Sequence, residues 1–284
     1  ADAASSAVPA APRVNATELR EWLADMALAA ARVVSVRLHG SVVEVAGSSA
    51  GKALLSDMLE QLPPRESAFI ADELSHSAFH YAIHYYSSSV VTMLIQRCPE
   101  EPSTQRLMER IIAGDLAHLC IHKFGNTVAS AILARGIPRL QGQIVGCLTR
   151  NAQRFSRHRV ASQLVEQALQ RVELPEQAAL VAAVMGTRST LGKLSCHCFG
   201  MHVVRGLLRL PWVCDEVRAS LEAQENRLRR DRYASQLLGF EAPSAPASSR
   251  ARFGAVQPEQ DQEPEKEPGA PAPAPQPGPD DSGD

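Results

Sequence analysis

The stretch His122-Lys123-Phe124-Gly125-Asn126-Thr127-Val128 decides the fold, because degraded copies of it recur along the whole chain. With Gly125 as the reference position, matching small residues follow one another at intervals of 34 to 39 residues. The six reference residues are Gly51, Ser87, Gly125, Ala161, Gly200 and Ala234. A period of this length indicates a stack of similar helical units rather than one globular core.

Each reference residue is followed by the apolar pattern of a helix that is buried along one face. Positions +3 and +4 carry the pairs Leu54-Leu55, Val90-Val91, Val128-Ala129, Leu164-Val165, Val203-Val204 and Leu237-Leu238. Positions +7 and +8 carry Met58-Leu59, Leu94-Ile95, Ile132-Leu133, Ala168-Leu169 and Leu207-Leu208. Apolar residues at these spacings predict an amphipathic helix with a single buried stripe.

A second amphipathic segment lies between consecutive copies of this helix. These segments are Thr104–Ile112, Gln143–Leu148, Gln177–Met185 and Asp215–Leu221, and Pro102, Pro138, Pro175 and Pro211 fall shortly before them. Proline is favoured in the first turn of a helix and in the turns that precede it. Each unit is therefore predicted to be helix, loop, helix, turn, and six stacked units would share one elongated core.

Residues ahead of each reference position also recur. Six positions earlier stand Val45, Tyr81, Leu119, Phe155, Leu194 and Leu228, and three positions earlier stand Ser48, His84, His122, His158, His197 and Asp231. The polar set lies just before a helix start, where backbone N–H groups lack partners. We expect these side chains to cap the helices, although histidine is not a favoured cap.

Composition divides the chain into three parts: a repeat domain over residues 16–240 and disordered segments at 1–15 and 241–284. Ala, Pro, Ser, Gln and acidic residues dominate after residue 241, and such a segment buries too little apolar surface to fold. The net charge of the chain is −2. The tail from residue 241 has three basic and nine acidic residues, so the rest of the chain has a net charge of +4. A mildly basic body permits a nucleic-acid partner without requiring one.

The repeat resembles the Pumilio (PUF) repeat, and the segment Ser156–Glu166 is similar to the penultimate repeat of that family. The resemblance implies an all-α, right-handed, armadillo-like solenoid that binds single-stranded RNA as a monomer, without a cofactor or metal. Familiar members carry eight repeats, whereas six are found here. The sequence lacks the Trp…Leu-Gly…Tyr signature of tetratricopeptide units, and HEAT and armadillo units are longer than its period, at about 40–47 residues.

In that family each repeat binds one base, with edge contacts from positions +1 and +5 and stacking from position +2. The fourth repeat keeps Ser162 and Glu166 as an edge-reading pair with Gln163 between them. Ser with Glu is associated with guanine, because the carboxylate accepts from the N1 and N2 donors. The residues at the same three positions are Lys52, Ala53 and Ser56 in the first repeat; Ser88, Ser89 and Thr92 in the second; Asn126, Thr127 and Ser130 in the third; Met201, His202 and Arg205 in the fifth; and Ser235, Gln236 and Gly239 in the sixth.

We expect positions +1, +2 and +5 to lie opposite the buried stripe and to point away from the core. One repeat in six matches a known base code and His202 is the only ring at a stacking position. Because stacking on an aromatic contributes about 1–3 kcal/mol per base, RNA binding weaker than that of a classical member is predicted. Polar residues at these positions are equally compatible with a solvated helix face outside the fourth repeat.

Other chemistries receive little support from the sequence. His76, His80 and His84 and the Cys196-His197-Cys198 cluster suggest zinc, but the repeat already explains His84 and His197, and zinc needs four convergent ligands. The sequence carries no phosphate loop, nucleophile elbow or HExxH motif, so no enzyme is predicted. It also lacks an apolar run of about 20 residues, and its six cysteines suggest reduced thiols inside the cell.

Three functions remain open. The first is binding of single-stranded mRNA elements for post-transcriptional regulation in the cytoplasm, with protein partners on the convex face or the tail. The second is a nuclear or nucleolar factor that binds ribosomal precursor RNA without base selectivity. The third is a protein-interaction scaffold that has lost RNA binding.

Overall fold

The computed structural model describes residues 16–171 and 174–237, with side chains described over residues 23–171 and 175–237. The segments 1–15 and 241–284, with Leu238 and Gly239, lie outside the described residues, so their predicted states stay predictions. The described residues belong to one compact unit, and every regular element among them is helical.

The helices follow one another in a regular order. In chain order they are α1 (Ala16–Leu38), α2 (Val42–Ala46), α3 (Ser49–Gln61), α4 (Pro64–Leu74), α5 (Ala78–Ile83), α6 (Ser87–Arg97), α7 (Pro102–Ile112), α8 (Leu116–Ile121), α9 (Gly125–Arg135), α10 (Pro138–Arg150), α11 (Ala152–Phe155), α12 (Ala161–Arg171), α13 (Leu174–Met185), α14 (Arg188–Ser195), α15 (Gly200–Leu207), α16 (Cys214–Glu222) and α17 (Glu225–Leu228). Two 3₁₀ turns, Ser75–Ser77 and Ala234–Gln236, complete the list.

Each unit contains three helices, not the two that the sequence predicted. A short first helix (α2, α5, α8, α11, α14 and α17) occupies the segment that was expected to be a loop. A middle helix (α3, α6, α9, α12, α15 and the turn Ala234–Gln236) and a third helix (α4, α7, α10, α13 and α16) follow it. The first helices have four to eight residues, which is too short for a 3.6-residue periodicity to be recognised.

The units stack so that like helices become neighbours. Middle helices pack in sequence, α3 on α6, α6 on α9, α9 on α12 and α12 on α15, and third helices α4, α7, α10 and α13 form a second row. The predicted apolar stripe faces the space between these rows, and its described members from the second repeat onward are at most 4% exposed. The all-helical solenoid of about six repeats that the sequence predicted is therefore confirmed, with five complete units and a partial sixth.

Leu54 is the exception, since its exposed fraction is 37% although it holds position +3 of the first repeat. In the later repeats the +3 residue is covered by the middle helix of the preceding unit. Among the described residues no middle helix precedes α3, and the contacts of α1 with α3 leave Leu54 partly exposed. Position +3 therefore marks the side of a middle helix that faces backwards along the stack.

Small residues recur at the reference position because the first and middle helices meet there. A Cβ atom on Gly125 would lie 2.9 Å from the carbonyl oxygen of Leu119, and one on Gly200 would overlap that of Leu194. At Ser87 the same position is used differently, since its hydroxyl donates a hydrogen bond of 2.9 Å to the carbonyl oxygen of Tyr81. The residues six positions apart in the sequence pattern are thus in direct contact.

The histidines three positions before the reference are helix caps, as predicted. The Nδ1 atom of His122 accepts hydrogen bonds of 3.3 Å from the backbone N–H groups of Phe124 and Gly125. The Nδ1 atoms of His158 and His197 accept from the corresponding groups at 3.2–3.4 Å. Asp231 takes the same role in the sixth repeat, where its carboxylate accepts from Tyr233 and Ala234 at 2.8 and 2.9 Å.

Candidate nucleic-acid interface

The open side of the middle helices contains the candidate site, and its geometry follows from the helical wheel. At about 100° per residue, the centre of the buried stripe lies about 170° from position +2 but only about 90° from position +1. Position +2 is therefore opposite the core, whereas +1 and +5 lie on the flank that faces the next unit. We call this flank, where consecutive middle helices meet, the seam.

The expectation that all three positions point freely away from the core is wrong for position +1. Ser88, Asn126, Ser162 and Met201 are only 4–7% exposed, on the flank of each helix that faces the next unit. The side-chain amide of Asn126 is also hydrogen-bonded within the protein, since Nδ2 donates a hydrogen bond of 2.8 Å to the carbonyl oxygen of Cys120. Ser235 is exposed, consistent with its place in the last repeat among the described residues.

Position +5 is tied into the seam as well. The hydroxyl of Ser130 donates to Oε1 of Gln167 at 2.5 Å, and Nε2 of Gln167 donates to the carbonyl oxygen of Ser130 at 3.2 Å. Thr92 is 8% exposed and donates its hydroxyl to the carbonyl oxygen of Ser88 at 2.8 Å. Ser130 therefore joins two neighbouring middle helices, whereas Thr92 is bonded to the backbone of its own helix, and both hydroxyls already have an acceptor.

Glu166, the expected guanine reader, faces two arginines of the fifth repeat. Its Oε1 lies 3.4 Å from Nη1 of Arg209, and its side chain is 14% exposed. Burial raises the pKa of Glu166, while the charges of Arg209 and Arg205 oppose that shift. A carboxylate that is already paired has less free acceptor capacity, so the neighbouring repeat limits what Glu166 can bind.

Position +2 is the accessible row of the surface. Thr127, Gln163 and Gln236 are exposed, while Ser89 and His202 are half-buried. Burial, and next the charge of Arg205, lower the pKa of His202, which favours its neutral, stackable ring near neutral pH. In the first repeat Ala53 occupies this row, with Lys52 and Ser56 half-buried beside it, and Gly239 of the sixth repeat lies outside the described residues.

The structure adds residues that the sequence did not single out. Gln167 and Arg209 contact Ser130 and Glu166 from the next repeat, 37 and 43 positions along the chain. Neither stands at one of the family's base-contacting positions, so nothing in the sequence signalled them. Their partners were identifiable only after the stacking order of the middle helices was known.

Within the described ranges, no three or more His, Cys, Asp or Glu side chains are grouped so that they could hold a metal ion. His84 accepts a hydrogen bond from the backbone N–H of Tyr86 at 3.4 Å, and His197 caps α15, so both have structural roles. No helix in the described part of the chain is both long enough and apolar enough to cross a membrane.

Solved structures share this fold. The RNA-binding domain of Puf4, bound to a recognition sequence from the HO endonuclease RNA 3′ UTR, matches with a TM-score of 0.67 at 16% identity, over 78% of this chain and 69% of that one. PUF-8 in complex with PBE-RNA matches with a TM-score of 0.64 at 16% identity, over 72% and 59%. The RNA-binding domain of yeast Puf5p bound to MFA2 RNA gives 0.58 at 15% identity, over 72% and 57%.

These likenesses establish the PUF-type helical repeat fold for the described part of the chain. The chain spans 57–69% of the length of the three solved domains. No family model and no curated protein matches the sequence. The fold is therefore recognisable through structure at a sequence identity of about one residue in six.

Proposed function

We propose that this protein binds single-stranded RNA along the open side of its middle helices. The observation that carries the proposal is the row of position +2 side chains, one per repeat, presented at the spacing of the stack and flanked by the polar seam. The same fold in Puf4, PUF-8 and Puf5p was solved with RNA bound, which supports the choice of ligand. Binding rather than catalysis is the proposed action.

The leading version is recognition of single-stranded elements in mRNA for post-transcriptional regulation in the cytoplasm. Ser162 and Glu166 supply the strongest edge-reading pair, and a guanine opposite the fourth repeat is the predicted preference. Protein partners would then dock on the third helices or the tail. A chain of this kind acts by recruitment, so its effect depends on which RNA it holds and which partner it brings.

A second version is favoured by the contacts of the seam. The hydrogen bond of Asn126 to a backbone carbonyl, the Ser130–Gln167 pair and the Glu166–Arg209 pair all use groups that base reading needs. If these contacts persist in the complex, RNA is held with little base selectivity. Such binding suits a nuclear or nucleolar factor on ribosomal precursor RNA.

Selection from a random single-stranded RNA pool separates these versions. The mRNA version predicts enrichment of a short motif that contains G. The version without selectivity predicts no enriched motif and an affinity that falls steeply with salt, because phosphate contacts release counterions. A protein that binds no RNA even at low salt would be a scaffold, and the proposed function would then be wrong.

A further inference from the structure

The segments that join each first helix to its middle helix form a distinct surface, which we call the loop edge. They comprise residues 47–48, 84–86, 122–124, 156–160, 196–199 and 229–233. Among them are six arginines and lysines but a single acidic residue, Asp231. The basic residues are Lys123, Arg157, Arg159, Arg229, Arg230 and Arg232. The loop edge is therefore the most one-sidedly charged part of the repeat.

Most of this charge has no acidic partner. Among the side chains described, over residues 23–171 and 175–237, no carboxylate lies within ion-pair distance of Lys123, Arg157 or Arg159, and the only pair on the loop edge joins Arg229 to Glu225. Lys123 and Arg159 are exposed. The row of third helices behaves differently, since it carries carboxylates beside its arginines and two of these arginines are paired from repeat to repeat.

Three ion pairs show this difference between the two surfaces. Arg32 pairs with Glu66 at 2.7 Å, Arg106 with Asp72 at 2.8 Å, and Arg139 with Glu109, so each links a third helix, or α1, to the next one. In these three pairs opposite charges neutralise one another within the protein. On the loop edge the cations remain available to an external anion.

The segments of the loop edge touch their neighbours along the stack. The rings of Tyr85 and Phe124 meet edge to face at 5.2 Å, which joins the second and third repeats. Burial, and next the charge of Arg157, lower the pKa of His197, which places Arg157 beside the fifth repeat. Burial, and next the charge of Asp231, raise the pKa of the Cys196 thiol, which places Asp231 of the sixth repeat beside the fifth.

The loop edge is also held in a fixed conformation. His122 and His158 use Nδ1 to accept backbone N–H groups at the starts of α9 and α12, and Lys123 and Arg159 directly follow them in the chain. Because the capping histidines occupy some of these N–H groups, attraction of an anion depends mainly on the side chains. The capped loops present those side chains within one helical turn of the exposed position +2 residues.

We propose that the loop edge binds the phosphate backbone of the RNA strand whose bases face the middle helices. The inference rests on the proposed function and adds a set of contacts outside positions +1, +2 and +5. Lys123, Arg157, Arg159 and Arg232 bind phosphates, and Tyr85 provides a stacking surface for a base. Half of the Tyr85 surface is exposed, while Phe124 and Tyr86 hold its ring by edge-to-face contacts at 5.2 and 4.6 Å.

Single-stranded RNA is commonly bound by this combination of a basic track and aromatic side chains. The combination offsets what the middle helices lack, since they carry one ring at the stacking positions. Phosphate binding also explains why the cationic loop edge occurs in a repeat domain whose base-reading positions depart from the family's code. RNA held in this way would be bound chiefly through its backbone.

The test compares two double variants with the same loss of charge. Lys123→Gln with Arg159→Gln removes two loop-edge cations, and Arg106→Gln with Arg139→Gln removes two cations from the row of third helices. The probe is a fluorescent uridine 12-mer, with affinity measured by anisotropy at several salt concentrations. Thermal midpoints close to that of the parent chain establish that both variants are folded.

The loop-edge variant is expected to lose about tenfold or more in affinity, and its slope of log K against log salt should be shallower by about 1.4, for two phosphate contacts. The control variant should stay within about twofold of the parent. On a 12-mer with a neutral methylphosphonate backbone, the parent and the loop-edge variant should bind equally. Tyr85→Ala should weaken binding of the normal 12-mer by about tenfold, while Tyr85→Phe should not.

Each other result counts against the inference. If the parent binds the 12-mer but both double variants lose affinity equally, or neither does, the loop edge is not the phosphate site and the proposed function still stands. A difference between parent and variant that persists on the methylphosphonate strand also overturns it. If the parent binds no RNA at low salt, the proposed function and this inference both fail.

Discussion

The core side and the open side of the middle helices differ in how closely the repeats agree. On the core side, positions +4, +7 and +8 are apolar and buried in each of the first five repeats. On the open side, each repeat has its own set of residues and its own contacts, such as Ser130 with Gln167 and Glu166 with Arg209. Packing against two rows of helices restricts the first surface, whereas only neighbouring side chains and a ligand restrict the second.

This difference explains why the architecture can be predicted from the sequence while the ligand preference cannot. A stripe that must fill the same space in every unit keeps its chemistry even when identity to known structures is 14–17%. A surface that adapts to each neighbour does not. Substitutions on the core side should therefore act mainly on stability, and those on the open side mainly on RNA binding.

The largest effect is expected from Val128→Asp on the core side of α9. Val128 is fully buried, and an unpaired carboxylate there should cost about 3–5 kcal/mol of unfolding free energy. Thr127→Asp, one residue earlier on the exposed row, should change stability by about 0.5 kcal/mol or less. Chemical denaturation of both variants checks this, and equal losses would show that the two sides are not distinct.

A smaller loss is expected where the first and middle helices meet. A Cβ on Gly200 would overlap the backbone and side chain of Leu194, so Gly200→Ala should destabilise the fold by about 1–3 kcal/mol. Gly142→Ala is the control, because a Cβ there meets nothing within 4 Å, and it should be neutral or stabilising by about 0.4–1 kcal/mol. The expected order of thermal midpoints is Gly142→Ala, parent, Gly200→Ala, and a reversed order would contradict the contact.

The histidine caps predict how stability depends on pH. Burial, followed by a neighbouring charge, lowers the pKa of His122 and of His197, and the neutral Nδ1 atom is the acceptor in both caps. A folded pKa below the unfolded value of about 6.5 means that the unfolded chain takes up protons first as the pH falls. The free energy of unfolding should therefore fall as the pH drops below about 6.5 and towards the folded pKa values.

Variants at the caps test that cause. His122→Ala should cost about 0.5–2 kcal/mol at pH 8, and should reduce the loss of stability between pH 8 and pH 5. His76→Ala, which removes an exposed histidine outside the caps, is the matched control. If the stability of His122→Ala depends on pH as strongly as that of the parent chain, groups other than this cap cause the dependence.

The smallest effect concerns the seam, because a single base contact is involved. Glu166→Gln should relax the preference at one selected base, while Ser89→Ala should leave the selected motif unchanged. Discrimination by one good base contact is about 1–3 kcal/mol, and the pairing with Arg209 places the expected value at the low end. Arg209→Gln should sharpen selection of G by releasing Glu166, and an unchanged motif in both variants would remove Glu166 from the site.

The sequence predicted the period, the buried stripe, the third helices with prolines at or shortly before their starts, and the histidine caps. It did not predict the first helices, since elements such as Ala152–Phe155 are too short to show a period. It placed Ser162 and Asn126 on an open face, although they are only 5% and 7% exposed, on the flank that faces the next unit. Contacts between units depend on the stacking order and on residues 37 to 43 positions apart, which a repeat pattern does not specify.

The most direct test of the central claim is photo-crosslinking of a single-stranded RNA that carries 4-thiouridine, followed by mapping of the modified peptides. RNA binding along the open side of the middle helices predicts crosslinks in α9, α12 and α15 and on the loop edge around Tyr85, Lys123 and Arg159. Crosslinks confined to the third helices α4, α7 and α10, or none at a concentration that saturates binding, would contradict it.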